Sequence, residues 1–141
     1  MEDKSPRQII LTRDMKALKK LTGTFINDEG DTLLHIAAAD GYLAGVKYLV
    51  EEKNYSIYAV NQDGYLPFHD AVRRGNIELI QWFLDKDSNL INERSDFNDS
   101  ALHMALDLET FEFLLEKGAD PKLTNNCWQT GEDRLRERGI L

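Results

Sequence analysis

Apolar residues along this chain fall into short clusters separated by polar, turn-forming stretches. In DGYLPFHDAVRRGNIELIQWFLDKDSNLINERS, the residues Ile77, Leu79, Ile80, Phe83 and Leu84 keep a helical spacing that gathers them on one face. A polar turn and a shorter helix-like stretch precede them. The segments EGDTLLHIAAADGYLAGVKYLVEEKNYSIYAVN and DFNDSALHMALDLETFEFLLEKGADPKLTNN repeat the order of turn, helix, turn, helix. The step is constant. His35, His69 and His103, the chain's three histidines, are spaced 34 residues apart. Leu34, Phe68 and Leu102 precede them, and Ala37, Ala71 and Ala105 follow two places later. Self-similarity at this period predicts a stack of repeats, each unable to bury its apolar face alone. The small alanines permit close approach of neighbouring helices and the larger residues fill the space between units, so these positions are core.

The units resemble the ankyrin repeat. Thr32-Leu33-Leu34-His35, Leu66-Pro67-Phe68-His69 and Ser100-Ala101-Leu102-His103 occupy its T-P-L-H slot, and Gly118-Ala119-Asp120 reproduces its closing G-A-D. The resemblance implies an all-α fold, an ankyrin-repeat solenoid of stacked helix-turn-helix units with protruding turns. Thr32 and Ser100 are expected to cap helix starts through their hydroxyls, each contributing about 1 kcal/mol. The second unit has Pro67 instead, whose fixed dihedral suits a first helical position. The chain divides as a single domain, 1–141, with an N-terminal cap repeat at 5–29. Full repeats follow at 30–61, 62–95 and 96–125, then a C-terminal cap repeat at 126–141. Only eight residues separate Ala105 from Leu114 where eleven separate Ala71 from Phe83, which predicts a shortened inner helix and a local dent in the third unit. Arg134, Arg136 and Arg138 stand as polar residues on a cap helix facing water, ended by Gly139.

Composition narrows the partners. With 17 Lys and Arg against 25 Asp and Glu, the net charge is −8, which opposes binding to phosphate backbones or anionic lipid. No apolar run approaches the roughly 20 residues of a spanning helix. A single cysteine, Cys127, and an N-terminus unlike a signal peptide make the expected compartment a reducing one, the cytoplasm first, with the nucleus, or a host cytosol for a bacterial effector, as alternatives. There the sequons at Asn54 and Asn98 stay unmodified.

Candidate chemistry is sparse. Equivalent residues of stacked helices lie about 8–10 Å apart, whereas zinc holds nitrogen at about 2.0–2.1 Å, so the three histidines cannot share an ion. The resemblance implies that they fasten each turn to its neighbour. His69 and Asp70 are consecutive on a helix and do not face each other, which leaves Asp70 as an exposed inner-helix residue. Cys127 has no second cysteine and no predicted histidine beside it. No phosphate loop, nucleophile triad or carboxylate pair is present. The expectation is therefore no enzyme, no metal and no cofactor. Trp82 and Phe113 read as packing between outer helices. Asn92 occupies the slot that is hydroxylated in some ankyrin repeats, and structural use is the expectation.

Family members usually bind through the turn tips and the exposed side of the inner helices. Carried over, this assigns partner binding to Asp28, Glu29, Asp31 and Asp40 in the first unit. The second unit contributes Gln62, Asp63, Tyr65, Arg73 and Arg74, the third Asp96, Phe97 and Asp99, and the terminal unit Asn126 and Gln129. Aromatic tips and alternating charge suit a protein partner with basic flanks. The implied function is a monomeric, non-catalytic adaptor, scaffold or inhibitor. The alternatives are an inhibitor of a kinase or other enzyme, and an ankyrin effector of an intracellular bacterium.

Overall fold

In the computed structural model, residues 4–141 are described, so the first three residues of the domain assigned to 1–141 lie outside them. The described chain builds nine α-helices in antiparallel pairs. An inner row comprises α1 (Pro6–Leu11), α3 (Leu33–Ala39), α5 (Pro67–Arg74), α7 (Ala101–Met104) and α9 (Gly131–Glu137). The outer row is α2 (Met15–Lys20), α4 (Leu43–Glu51), α6 (Ile77–Lys86) and α8 (Leu108–Glu116). Each inner helix packs on the next, α1 on α3 through to α7 on α9, so the core runs the length of the stack.

Local chemistry sets where these helices begin. The Thr32 hydroxyl accepts from the His35 amide, and the Asn76 and Asp107 side chains accept from the amides of Leu79 and Thr110. Pro67 opens α5 as its first residue. Ser100 departs from expectation: its hydroxyl meets the His103 Nδ1 at 2.9 Å and makes no bond to a helix amide. Leu34, Phe68, Leu102, Ala37, Ala71 and Ala105 are all buried, which is the inter-unit packing their spacing predicts.

The third unit is short, as its residue count requires, with α7 spanning only four residues. Its missing turn exposes carbonyls that the cap helix supplies with donors. Arg138 corrects the reading of the three cap arginines as a water-facing set, since its guanidinium donates to the carbonyls of His103 (3.1 Å) and Ala105 (3.0 Å). Leu135 corrects it further: it occupies the position of Ala37, Ala71 and Ala105, counted five residues after each helix cap, and is fully buried. Gly131 allows this approach, because a Cβ there would lie 2.6 Å from the Leu102 Cβ.

Candidate functional site

Four turns project from one edge of the stack, and a polar residue organises each. The Asn27 Oδ1 accepts from the amides of Glu29 and Asp31, and the Asn61 Oδ1 from those of Asp63 and Tyr65. The Ser95 hydroxyl does the same for Phe97 and Asp99, and Asn125 for Cys127 and Gln129. This wrapping holds one residue per turn in left-handed backbone conformation: Gly30, Gly64, Asn98 and Trp128, with φ of 80°, 78°, 60° and 60°. Adjacent tips are tied by main chain. The amides of Gln62, Asp96 and Asn126 donate to the carbonyls of Glu29, Asp63 and Phe97 respectively, at 2.9–3.0 Å.

The histidines bind turn to helix and unit to unit. Each Nδ1 accepts from the backbone amide at its own helix start, that of Thr32, Leu66 or Ser100. The Nε2 of His35 and of His103 donates across to the next unit, to the carbonyls of Tyr65 and Gln129, and that of His69 to the Glu93 carbonyl at the end of its own unit. A carbonyl only accepts, so Nε2 carries the proton and Nδ1 offers its lone pair. Burial lowers all three pKa values, and that of His69 falls to about 4.

The assigned binding residues separate into presented and committed sets. Asp28, Glu29, Gln62, Asp63, Arg73, Arg74, Asp96, Phe97 and Asn126 are exposed. Asp99 is buried; its oxygens accept from the Tyr65 hydroxyl (3.0 Å) and the Asn125 amide (3.0 Å), so it links two turns. Tyr65 is half-buried, its ring edge-on to His69 at 5.7 Å and beneath the Arg73 guanidinium at 5.6 Å. Burial pushes its phenol pKa up. Asp40 is held by Arg13 from the N-terminal cap, and the Gln129 carbonyl by His103. Asp31 accepts from the Asn61 side chain at 2.9 Å.

Two residues outside the assigned set stand out. Trp128 is 85% exposed in a conformation that costs a non-glycine residue about 1–2 kcal/mol. Its signal in the sequence is a tryptophan in the slot that holds glycine in the first two units. Asp70 is the other, and it corrects the expectation of an exposed residue. Only 13% of its side chain is accessible, and Oδ2 is sealed from solvent with no hydrogen-bond partner. Burial, reinforced by nearby Asp31 and opposed by Arg73, raises its pKa to about 7. Asp31, His35 and Asp70 bring donor atoms within 4.8 Å of one another at a concave cavity of about 550 Å³. That trio is not built for a metal ion, because the His35 Nε2 is protonated and its Nδ1 lone pair is engaged by Thr32.

Trp82 and Phe113 are half-buried on the outer face, with Lys86 and Lys117 ammonium groups over their rings. Asn92 has a structural bond, its Oδ1 accepting from the Asp120 amide at 3.0 Å. No helix among the described residues is long and apolar enough to cross a membrane.

Stacked helix pairs, laddered turns and histidine fasteners define a repeat scaffold. The chain belongs to the ankyrin repeat family, whose three-copy repeat model matches residues 9–93 and 53–125. Such repeats are generally protein-interaction modules and are typically non-enzymatic. Among curated relatives, the transient receptor potential cation channel subfamily A member 1 homolog of Caenorhabditis elegans is 28% identical over 130 residues, covering 90% of this chain and 11% of that protein. The human BCL-6 corepressor-like protein 1 is 32% identical over 104 residues, 72% of this chain and 6% of its own length. The human ankyrin repeat and SOCS box protein 3 is 30% identical over 94 residues, 63% of this chain and 18% of its own length. The chain thus spans less than a fifth of each of these relatives.

Proposed function

We propose that this chain is a non-catalytic adaptor, scaffold or inhibitor that holds a partner protein against its turn tips and concave face. The observation that carries the reading is the exposure of Phe97 (48%) and Trp128 (85%) on turns whose shape is maintained by other atoms. Neither ring bonds within its own turn; Phe97 leans on the Tyr65 ring at 6.3 Å and still leaves about half of its surface open, and Trp128 sits in its exposed position at a backbone cost. Exposed aromatics on a rigid support suit interface anchors, because little conformational entropy remains to be lost on binding. One face of such a stack can bury a standard interface of about 1,600 Å² in total.

Tyr65 is a poor test residue, since its hydroxyl and ring support the neighbouring turn. Phe97→Ala combined with Trp128→Gly removes the anchors and leaves the ladder intact. Affinity purification from the native cell, compared by mass spectrometry, should recover a protein with the parent chain and lose it with the double variant. An outer-face control, Lys47→Glu with Gln81→Lys, should keep it. Loss with the control and retention with the double variant would move binding to the outer helices and refute the proposal. Circular dichroism verifies that both variants fold.

A further inference from the structure

The concave face changes sign along its length. Four residues after each helix cap, the row across the inner helices reads Ile36, Asp70, Met104 and Arg134. Arginines gather at the far end of that row, around the short α7. This helix has four residues where α5 has eight, so beyond Met104 no inner helix stands between the last turn of α5, which carries Arg73, and that of α9. Arg138 spans this gap but lends only one nitrogen, Nη1, to the His103 and Ala105 carbonyls. Its Nε and Nη2 have no partner among the described residues, and the Arg134 guanidinium has none at all there. Both side chains are partly buried, yet none of these nitrogens is sealed from solvent, so a ligand can reach them. The carboxylates of this end are engaged by neutral donors: Asp99 by the Tyr65 hydroxyl and the Asn125 amide, Glu137 by the Gln129 amide and Asp107 by Thr110. Burial lowers the Arg138 pKa, and the charges of Arg134 and Arg73 lower it further against Asp99 and Glu137, so the three cations act on one another. Clustered guanidiniums with open N–H groups match a carboxylate, which accepts two parallel bonds from such a fork.

We propose that this end of the concave face receives one acidic side chain of the partner protein, an aspartate or a glutamate, paired with the Arg134 guanidinium and the open edge of Arg138. The proposal rests on the concave-face reading and names the chemistry of one subsite within it. A carboxylate supplies the acceptors that both guanidiniums lack and offsets the repulsion between them. Arg73, over the Tyr65 ring at 5.6 Å and 3.9 Å from Asp70, adds charge from α5 and is not the primary contact. The chain as a whole carries a net charge of −8 and repels anions, so a carboxylate held here is held by the local cluster.

The probe is N-acetyl-glutamate-N-methylamide, with its neutral glutamine counterpart as control, followed by the Nε–H NMR shifts of Arg73, Arg134 and Arg138. Saturable shifts at Arg134 and Arg138 are expected with the glutamate compound and not with glutamine. Arg134→Gln should weaken the response about tenfold or more, and Lys19→Gln, which removes the same charge from distant α2, should leave it unchanged. Arg138 stays in place because it holds α7. Arg73→Gln provides a second variant, expected to weaken the response, if Arg134→Gln fails to fold. Equal responses to the two compounds, or equal losses with Arg134→Gln and Lys19→Gln, would overturn the proposal. So would saturation by inorganic phosphate below the concentration needed for the glutamate compound, which would reassign the cluster to a phosphate group. The probe needs no partner protein. Glutamate binding without protein capture therefore sinks only the broader function, and capture insensitive to Arg134→Gln, without glutamate binding, sinks only the subsite.

Discussion

Asp70→Asn exchanges a carboxylate for a neutral group of nearly equal shape at a site where ionisation is resisted. The folded state holds the Asp70 proton up to about pH 7, against an ordinary value of 3.8. Between those values the unfolded chain releases a proton that the folded chain retains, so stability declines as pH rises and levels off above the folded pKa. A shift of about three units at 1.36 kcal/mol each sets an upper bound of about 4 kcal/mol on the penalty near pH 8. The same bound is under about 2 kcal/mol near pH 5, because the cost of keeping the proton grows by about 1.36 kcal/mol for each pH unit above the ordinary value and only about one unit has been crossed. Asparagine cannot ionise and escapes the penalty, so the variant should gain most in alkaline solution. Urea unfolding followed by far-ultraviolet circular dichroism at several pH values measures the difference, and the titration of the histidines, common to both chains, largely cancels. A variant that is no more stable than the parent at pH 8, or whose advantage is independent of pH, would refute the argument that Asp70 is a strained ion.

Two further outcomes concern the fasteners and the cap. The His69 pKa of about 4, set chiefly by burial, lies below the ordinary 6.5, so its contribution is complete above that value and lost as pH falls toward 4. The loss is bounded at about 3 kcal/mol, and His69→Gln should flatten this part of the urea-midpoint profile. Arg138→Met keeps the stem but leaves the His103 and Ala105 carbonyls without these donors, at an expected cost of about 1–3 kcal/mol. Hydrogen exchange should then quicken first across α7 and α9, and uniform quickening along the chain would argue against a local role.

The repeat architecture was legible because one constraint recurs at a fixed step. Each unit needs a histidine to tie its turn, a small residue for close approach and a large one to fill the gap, and all three leave a 34-residue signature. The short α7 was equally legible from counting residues, but its consequence was not. Arg138 reaches α7 from more than 30 residues away, and periodicity says nothing about a side chain that compensates for a missing turn. Asp70 was misjudged for a similar reason. The spacing from His69 to Asp70 excludes a pair, whereas burial depends on Asp31 and His35 of the preceding unit. Asp99 likewise sits at a tip by register and is withdrawn from solvent by Tyr65 and Asn125. Alignment places Trp128 in a glycine slot, and only the backbone angle reveals the cost of keeping it.

The ladder between turn tips is made chiefly of peptide groups; Gln62 and Asn126 reinforce it with side-chain bonds to the carbonyls of Asp28 and Asp96, whereas the residues at 28, 29, 63, 96 and 127 contribute only their backbone to it. Their side chains are consequently close to interchangeable as far as folding is concerned, much as type can be reset in a fixed frame. A library randomised at those five positions should remain largely folded while presenting very different surfaces. Surface chemistry is thus separable from stability at those tip positions, and the two are entangled where a side chain crosses between turns, as at Gln62 and Asn126, or where a carboxylate such as Asp70 or Asp99 has been drawn inward.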